Sequence, residues 1–224
     1  MQALAESKKC SDRKTSGNAR WCVLLTAAVT IHPQWRTGRN TPEQRKALYL
    51  KSIGHWLEKT NFEVFVVESS GYGFPEFQHE RFHVYSFMLA PERTGCSSSQ
   101  LDAECILVAI ENFRHQMKTF THVLKVTGRY FFQDIQNTLA NLPQDLDIYL
   151  QHSCNPAIDW QNSELFGFRK TLAEEIFTPI LQVGFMEQRL YAVGKQYARQ
   201  YRFPPVRNTF MVARGGDGLT IQDL

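Results

Sequence analysis

His122-Val-Leu-Lys-Val-Thr-Gly-Arg-Tyr-Phe-Phe132 decides how this chain is read. It opens as an apolar strand and closes on Gly128 and a run of polar and aromatic residues. Two cations, Lys125 and Arg129, stand four apart across the strand end. Residues i, i+2 and i+4 of an extended strand share one face, so Lys125, Thr127 and Arg129 line up if the extension continues through Gly128. A cation pair at that edge can hold a diphosphate and offset charge that a metal would otherwise carry. The plainer alternative is a core strand whose Lys and Arg pair with carboxylates. Tyr130 either hydrogen-bonds a ligand or closes the edge of the core.

The segments around this strand alternate between strand and helix. Trp21–Val29 and Glu63–Ser69 are continuous apolar runs, the pattern of strands buried on both faces. Phe82–Met88 alternates more clearly, and Asp147–Leu150 and Asn208–Ala213 read as further strands. Thr41-Pro42-Glu43-Gln44 is a helix start, with Thr as N-cap, Pro at the first helical position and Gln completing a capping box. Leu48, Tyr49, Ile53, Trp56 and Leu57 then recur at helical spacing. Helices are expected over Gln100–Phe113, Phe131–Leu139, Leu165–Ile176 and Glu187–Arg199. The fold class is therefore α/β, with a mostly parallel central sheet flanked by helices on both faces. Right-handed crossovers place the loops after Val29, Ser69 and Thr127 on one edge, where ligands bind in open α/β sheets.

The 224 residues suffice for one large domain, and a hydrophobic share of 43% supports a full core. Residues 1–20 read as a flexible basic tail and 214–224 as a second flexible tail. Between them, 21–213 form a single domain, with a nucleotide-binding half over about 21–130 and an acceptor-binding half over about 131–213. A net charge of +3 and the lack of a basic–aromatic array argue against nucleic acid. No apolar run reaches the length of a membrane span. The first twenty residues lack the apolar core of a secretory signal. The expected location is cytoplasmic or peripheral on a membrane, and an upstream targeting segment stays open. Cys10, Cys22, Cys96, Cys105 and Cys154 show no zinc spacing and read as free thiols.

No GxGxxG follows the first strand, and no GxxxxGK[ST], GxSxG or HExxH occurs, which removes the commonest dinucleotide, P-loop, hydrolase and zincin sites. Thr26-Ala27-Ala28-Val29 ends the first strand with small residues that let a flat ligand approach the backbone, or that simply pack under a helix. His32, Arg36 and Arg39 follow in a loop, where an Arg can fork onto phosphate oxygens. Asp102 and Glu104 lie in the first turns of a Ser-capped helix. There they complement the helix dipole, and Glu104 alternatively orients Lys125 or Arg129. Glu187, at the start of a late helix, suits a general base or a dipole-stabilising acid. Asp159, Trp160 and Glu164 lie in a Trp- and Asn-containing loop of the kind that recognises sugars.

Val23–Ala28, Val64–Ser69, the Ser97–Phe113 helix, Leu124–Tyr130 and Phe185–Arg189 together resemble the GT-A class of nucleotide-sugar glycosyltransferases. The Lys125-Val-Thr-Gly-Arg-Tyr130 stretch looks like that of small members in bacteria, algae and large DNA viruses. The resemblance covers Trp21 to Tyr201 and implies a Rossmann-like GT-A fold, a nucleotide sugar donor and a sugar or glycan acceptor. It implies that Thr26, Ala27, Val29, Arg36, Glu68, Lys125, Thr127, Arg129 and Tyr130 contact the nucleotide and diphosphate. Asp159, Trp160 and Glu164 would contact the acceptor, and Glu187 would act on its hydroxyl. Where the family carries Asp-x-Asp for a metal, this sequence has Lys-Val-Thr-Gly-Arg-Tyr. Lys125 and Arg129 can then neutralise the leaving diphosphate directly, with Mn2+ or Mg2+ kept as an open alternative and no cofactor assigned. Two other readings remain: a nucleotidyltransferase, and a non-catalytic sugar- or protein-binding module on a decayed transferase fold.

Overall fold

A computed structural model describes residues 19–31, 40–89, 96–144, 146–152, 154–182, 184–197, 200–204, 207–213 and 220–223, the last two segments by backbone alone. Its strands are β1 Trp21–Ala27, β2 Val64–Glu68, β3 Phe82–Ser86, β4 His122–Thr127, β5 Ile148–Leu150, β6 Cys154–Asn155, β7 Trp160–Gln161, β8 Leu165–Arg169, β9 Gln200–Arg202, β10 Arg207–Ala213 and β11 Thr220–Asp223. The helices are α1 Pro42–Lys59, α2 Ser98–Asn112, α3 Ile135–Ala140, α4 Ala173–Gln182 and α5 Met186–Gln196.

Seven strands form one sheet in the order β3-β2-β1-β4-β8-β5-β9. All neighbours pair parallel except β8, which runs antiparallel to both β4 and β5. The reversal brings the residues before β8 to the same edge as the C-terminal ends of β1, β2 and β4. The mostly parallel sheet covered on both faces is thus observed.

The strand pattern explains why both faces are covered. All seven residues of β1 are buried. Its odd positions, Trp21, Val23, Leu25 and Ala27, pack with Tyr49, Ile53 and Trp56 of α1 and with Ile135 and Leu139 of α3. Its even positions Cys22 and Leu24 pack with residues of α2, α4 and α5. This is the alternation of a pleated strand between two helical layers. Cys22 and Cys105 lie in the second layer as free thiols, and burial raises the pKa of both, that of Cys22 to about 12.

Several expected elements differ. The helix read over Leu165–Ile176 is strand β8 followed by α4. Phe166 and Phe168 point together into the α4 layer, and a Cβ on Gly167 would meet the Trp21 ring at 2.8 Å, so sheet pairing overrides the local pattern. The helix read from Phe131 begins only at Ile135, because Tyr130, Phe131 and Phe132 fold into the core first. The Tyr130 carbonyl is held by Ser52 Oγ at 2.8 Å and Trp56 Nε1 at 2.9 Å. In the C-terminal segment expected to be loose, β11 pairs antiparallel with β10. The loop around Asp159 contains the β6–β7 hairpin.

Gly128 is required by close approach. Its N–H donates to the Thr26 carbonyl at 2.9 Å, and an added Cβ would lie 2.8 Å from that oxygen and 3.1 Å from Tyr49 Cε1. Gly128→Ala should therefore force β4 away from β1 and lower stability by about 2 kcal/mol. A urea denaturation midpoint equal to that of the parent would contradict this packing.

Candidate active site

The C-terminal edge of the sheet is drawn together by two polar clusters, one on each face. On the α2 face, Lys125 stands between its apolar cross-strand partners, Leu24 of β1 and Phe166 of β8. Its side chain is 1% exposed. A buried ammonium needs a counter-charge and hydrogen-bond acceptors. Nζ lies 2.5 Å from Asp102 Oδ2 of α2, 3.3 Å from the Ser163 carbonyl and 3.5 Å from Thr127 Oγ1. It also lies 5.4 Å from the centre of the Phe166 ring. The capping box of Ser97 and Gln100 fixes the start of α2 and so the position of Asp102.

Ser163 carries the connection onward. Its Oγ donates to Glu187 Oε1 at 2.7 Å, and Ser99 Oγ of α2 donates to Glu187 Oε2 at 3.3 Å. Glu187 sits in the first turn of α5 and is half-buried. A carboxylate has about four lone-pair sites, so two hydroxyl donors hold it in place and leave it able to accept a proton.

On the α1 face the chain leaves β4 in a turn, with Tyr130 N donating to the Thr127 carbonyl at 2.9 Å. The extension does not pass through Gly128. Lys125 and Thr127 share a face, and Arg129 departs from it on the turn, 7% exposed. Arg45 of α1 approaches the same corner. Its Nε donates to the Ala28 carbonyl at 2.8 Å and its Nη2 to Tyr49 Oη at 2.8 Å. Burial lowers the pKa of Arg45, and the charge of Arg129 adds to that effect. Two guanidinium groups thus gather around Tyr49 and Gly128. Arg45 was not anticipated; nothing in a helix beginning Pro42-Glu-Gln-Arg45 marks it.

Glu68 is fully buried and has a structural task. Oε1 accepts from Val29 N at 2.9 Å and from Ser70 Oγ; Oε2 accepts from Ser70 N at 2.9 Å, Tyr72 N at 2.7 Å and Ser86 Oγ at 3.3 Å. One carboxylate therefore fastens the loops after β1 and β2 and the end of β3 into a single edge.

The remaining expected residues fall as follows. The Thr26 and Ala27 carbonyls accept from Gly128 N and Ser69 N, and both residues are buried. Tyr130 is 1% exposed, stacked on Phe132 within the core. Glu164 is 8% exposed and its carbonyl accepts from Thr127 N at 2.9 Å, which joins β8 to the end of β4. Trp160 packs against Phe185 with ring centres 6.0 Å apart. Asp159 pairs with Lys195 of α5 at 3.2 Å, both well exposed. His32, Arg36 and Arg39 lie outside the described residues. The clusters bring Lys125, Thr127 and Glu187 together through Ser163 and keep Lys125 apart from Arg129 by face. The carboxylate on Lys125 Nζ is that of Asp102. Among the described residues no group of three or more His, Cys, Asp or Glu converges in the manner of a metal site. Among them, no helix is long and apolar enough to cross a membrane.

No family model and no curated protein matches the sequence. Solved structures do match the fold. A cytidylyltransferase from Leptospira borgpetersenii superposes with a TM-score of 0.50 at 13% identity, covering 91% of this chain and 82% of that one. A protein of Desulfovibrio desulfuricans G20, described as a nucleotide-diphospho-sugar transferase, gives 0.48 at 12% identity over 83% and 82% of the two chains. A glycosyltransferase involved in glycosylation of the major capsid of PBCV-1 gives 0.48 at 9%, over 81% and 80%. Identities this low bear on the fold alone, and the superposition at 0.50 agrees with the GT-A-like α/β sheet that the resemblance implied.

Glu68→Gln replaces one acceptor oxygen by a donor facing other donors. It should lower unfolding free energy by about 2–3 kcal/mol without removing a surface contact. An unchanged denaturation midpoint would show that the loops after β1 and β2 and the end of β3 are held by something else.

Proposed function

We propose that this chain is a sugar transferase that moves a glycosyl group from a nucleotide diphosphate sugar to an acceptor hydroxyl. The observation that carries the reading is the fixed Glu187 carboxylate, held by Ser163 and Ser99 beside the Lys125–Asp102 pair at the C-terminal edge of a GT-A-like sheet. Open α/β sheets bind nucleotides outside this edge.

In this scheme the donor nucleotide lies against the ends of β1 and β2, with its diphosphate over the turn that carries Arg129. Glu187 takes the proton of the acceptor hydroxyl. The oxygen attacks the anomeric carbon, forming one C–O bond as the bond to the diphosphate oxygen breaks, and the nucleoside diphosphate leaves. Stereochemistry at that carbon inverts. Arg129 and Arg45 supply positive charge for the leaving group. Lys125 takes a supporting part. Its charge is spent on Asp102, and its contact with the Ser163 carbonyl sets the hydroxyl that holds Glu187.

Nucleotidyl transfer from a nucleoside triphosphate is the second reading, favoured by the fold likeness to a cytidylyltransferase across nine-tenths of the chain. The two differ in donor and in product: free nucleoside diphosphate in one, pyrophosphate in the other.

A thermal-shift screen of nucleoside di- and triphosphates and nucleotide sugars, with Mn2+ and with EDTA, should show stabilisation by one nucleoside diphosphate and its sugar. Glu187→Gln should keep that shift and lose transfer by about 10²–10⁴-fold. Undiminished transfer by this variant would remove Glu187 as the base, and pyrophosphate release would favour the second reading.

A further inference from the structure

Glu187, Tyr191 and Lys195 are spaced by four on α5 and so share one stripe of the helix. Tyr191 stands about 6 Å and Lys195 about 12 Å along the axis from Glu187. Beside the second half of this stripe is a cleft of about 270 Å³, lined by Tyr191, Gly194, Lys195, Gln200, Tyr201 and Arg202. Gly194 packs directly on β5, since a Cβ there would meet Leu150 Cδ1 at 2.6 Å. The cleft falls just below the roughly 300 Å³ at which pockets for drug-sized ligands begin, and suits a single sugar ring.

Arg202 gives the cleft its chemistry. The residue is exposed, yet Nη1 is fixed by Gln161 Oε1 at 2.5 Å and the Gln151 carbonyl at 3.4 Å. Gln151 and Gln161 are both fully buried. Gln161 Nε2 donates to the Gln151 carbonyl at 2.9 Å, and Gln151 Oε1 accepts from Leu165 N at 2.9 Å, at the reversed strand beside β4. Among the described residues Arg202 makes no ion pair, so an immobilised guanidinium with spare donors is presented at the opening. Lys195, also cationic, is held by Asp159 in an ion pair whose members are 65% and 68% exposed. Such a pair contributes little and exchanges readily for another anion. Tyr201 adds an exposed ring, and Tyr191 a second ring with Lys195 4.3 Å from its centre.

We infer that this cleft binds an acidic sugar, one that carries a carboxylate or a phosphate, with Arg202 and Lys195 on the anion and the tyrosines against the ring. Its service as the acceptor site rests on the transferase reading, because the stripe on α5 then leads the acceptor toward Glu187. Its ligand chemistry does not depend on that reading.

Saturation-transfer NMR with D-glucuronate, D-glucose 6-phosphate and neutral D-glucose tests the inference. At least one acid should bind about tenfold more tightly than glucose, and Lys195→Met and Arg202→Met should each remove most of that preference. Lys195 is a surface residue, so its variant stays folded even if Arg202→Met loosens the buried glutamines. Equal binding of glucose and both acids, or an unchanged acid preference in both variants, would overturn it. A nucleoside diphosphate titrated into the same samples separates the two proposals. Acid-sugar binding without nucleotide binding upholds the cleft and removes the transferase reading. Nucleotide binding without acid preference does the reverse.

Discussion

The buried ammonium of Lys125 is the constraint around which the edge of this sheet is organised. A charge with 1% exposure between Leu24 and Phe166 is tolerated only with a close counter-charge and acceptors around it. Asp102 supplies the first from α2, and the Ser163 carbonyl supplies one of the second from the segment before β8. That single side chain therefore fixes a helix start and a strand start against β4. Ser163 then passes the constraint to α5 by holding Glu187. The candidate base is positioned by a chain of contacts that begins in the core, which is how a site gains rigidity from its supporting shell.

The opposite face uses a different device for the same end. Glu68, wholly buried, gathers five donors from the loops after β1 and β2 and from the last residue of β3, and leaves Val29 and Ser70 fixed at the edge. Tyr49 and Gly128 then set how closely β1 and β4 approach, with Arg45 on Tyr49 and the charge of Arg129 felt at the same corner. Arg45 and Arg129 thus lie on one side of the edge and the Glu187 carboxylate on the other, a separation that the proposed transfer uses for its leaving group and attacking hydroxyl.

Much of the fold was legible because local and global signals agree there. The seven-residue apolar run of β1 is buried throughout, and the Thr41–Gln44 capping box forms as the sequence implies. Leu165-Phe-Gly-Phe-Arg169 misled because its helical reading is local. What makes it a strand is Trp21, 146 positions before Gly167, whose ring fills the space above that glycine. The site was legible only as separate residues. Glu187 stood out as an acid at a helix start, but its partner Ser99 is 88 positions away. Asp102 reads in the sequence as a dipole-stabilising acid, whereas in the fold its oxygen lies on Lys125. The alignment of Lys125 with Arg129 assumed an extended Gly128, and the turn closed by Tyr130 N on the Thr127 carbonyl breaks it.

A crystal structure grown with each of ADP, GDP, CDP, UDP and dTDP tests the central claim most directly. The account predicts one bound nucleotide with its diphosphate over the Thr127–Tyr130 turn, Arg129 on its oxygens, and the Glu187 carboxylate facing the open space beyond the terminal phosphate. A diphosphate bound away from that turn, or Glu187 turned from it by a rearranged Ser163, would contradict the account.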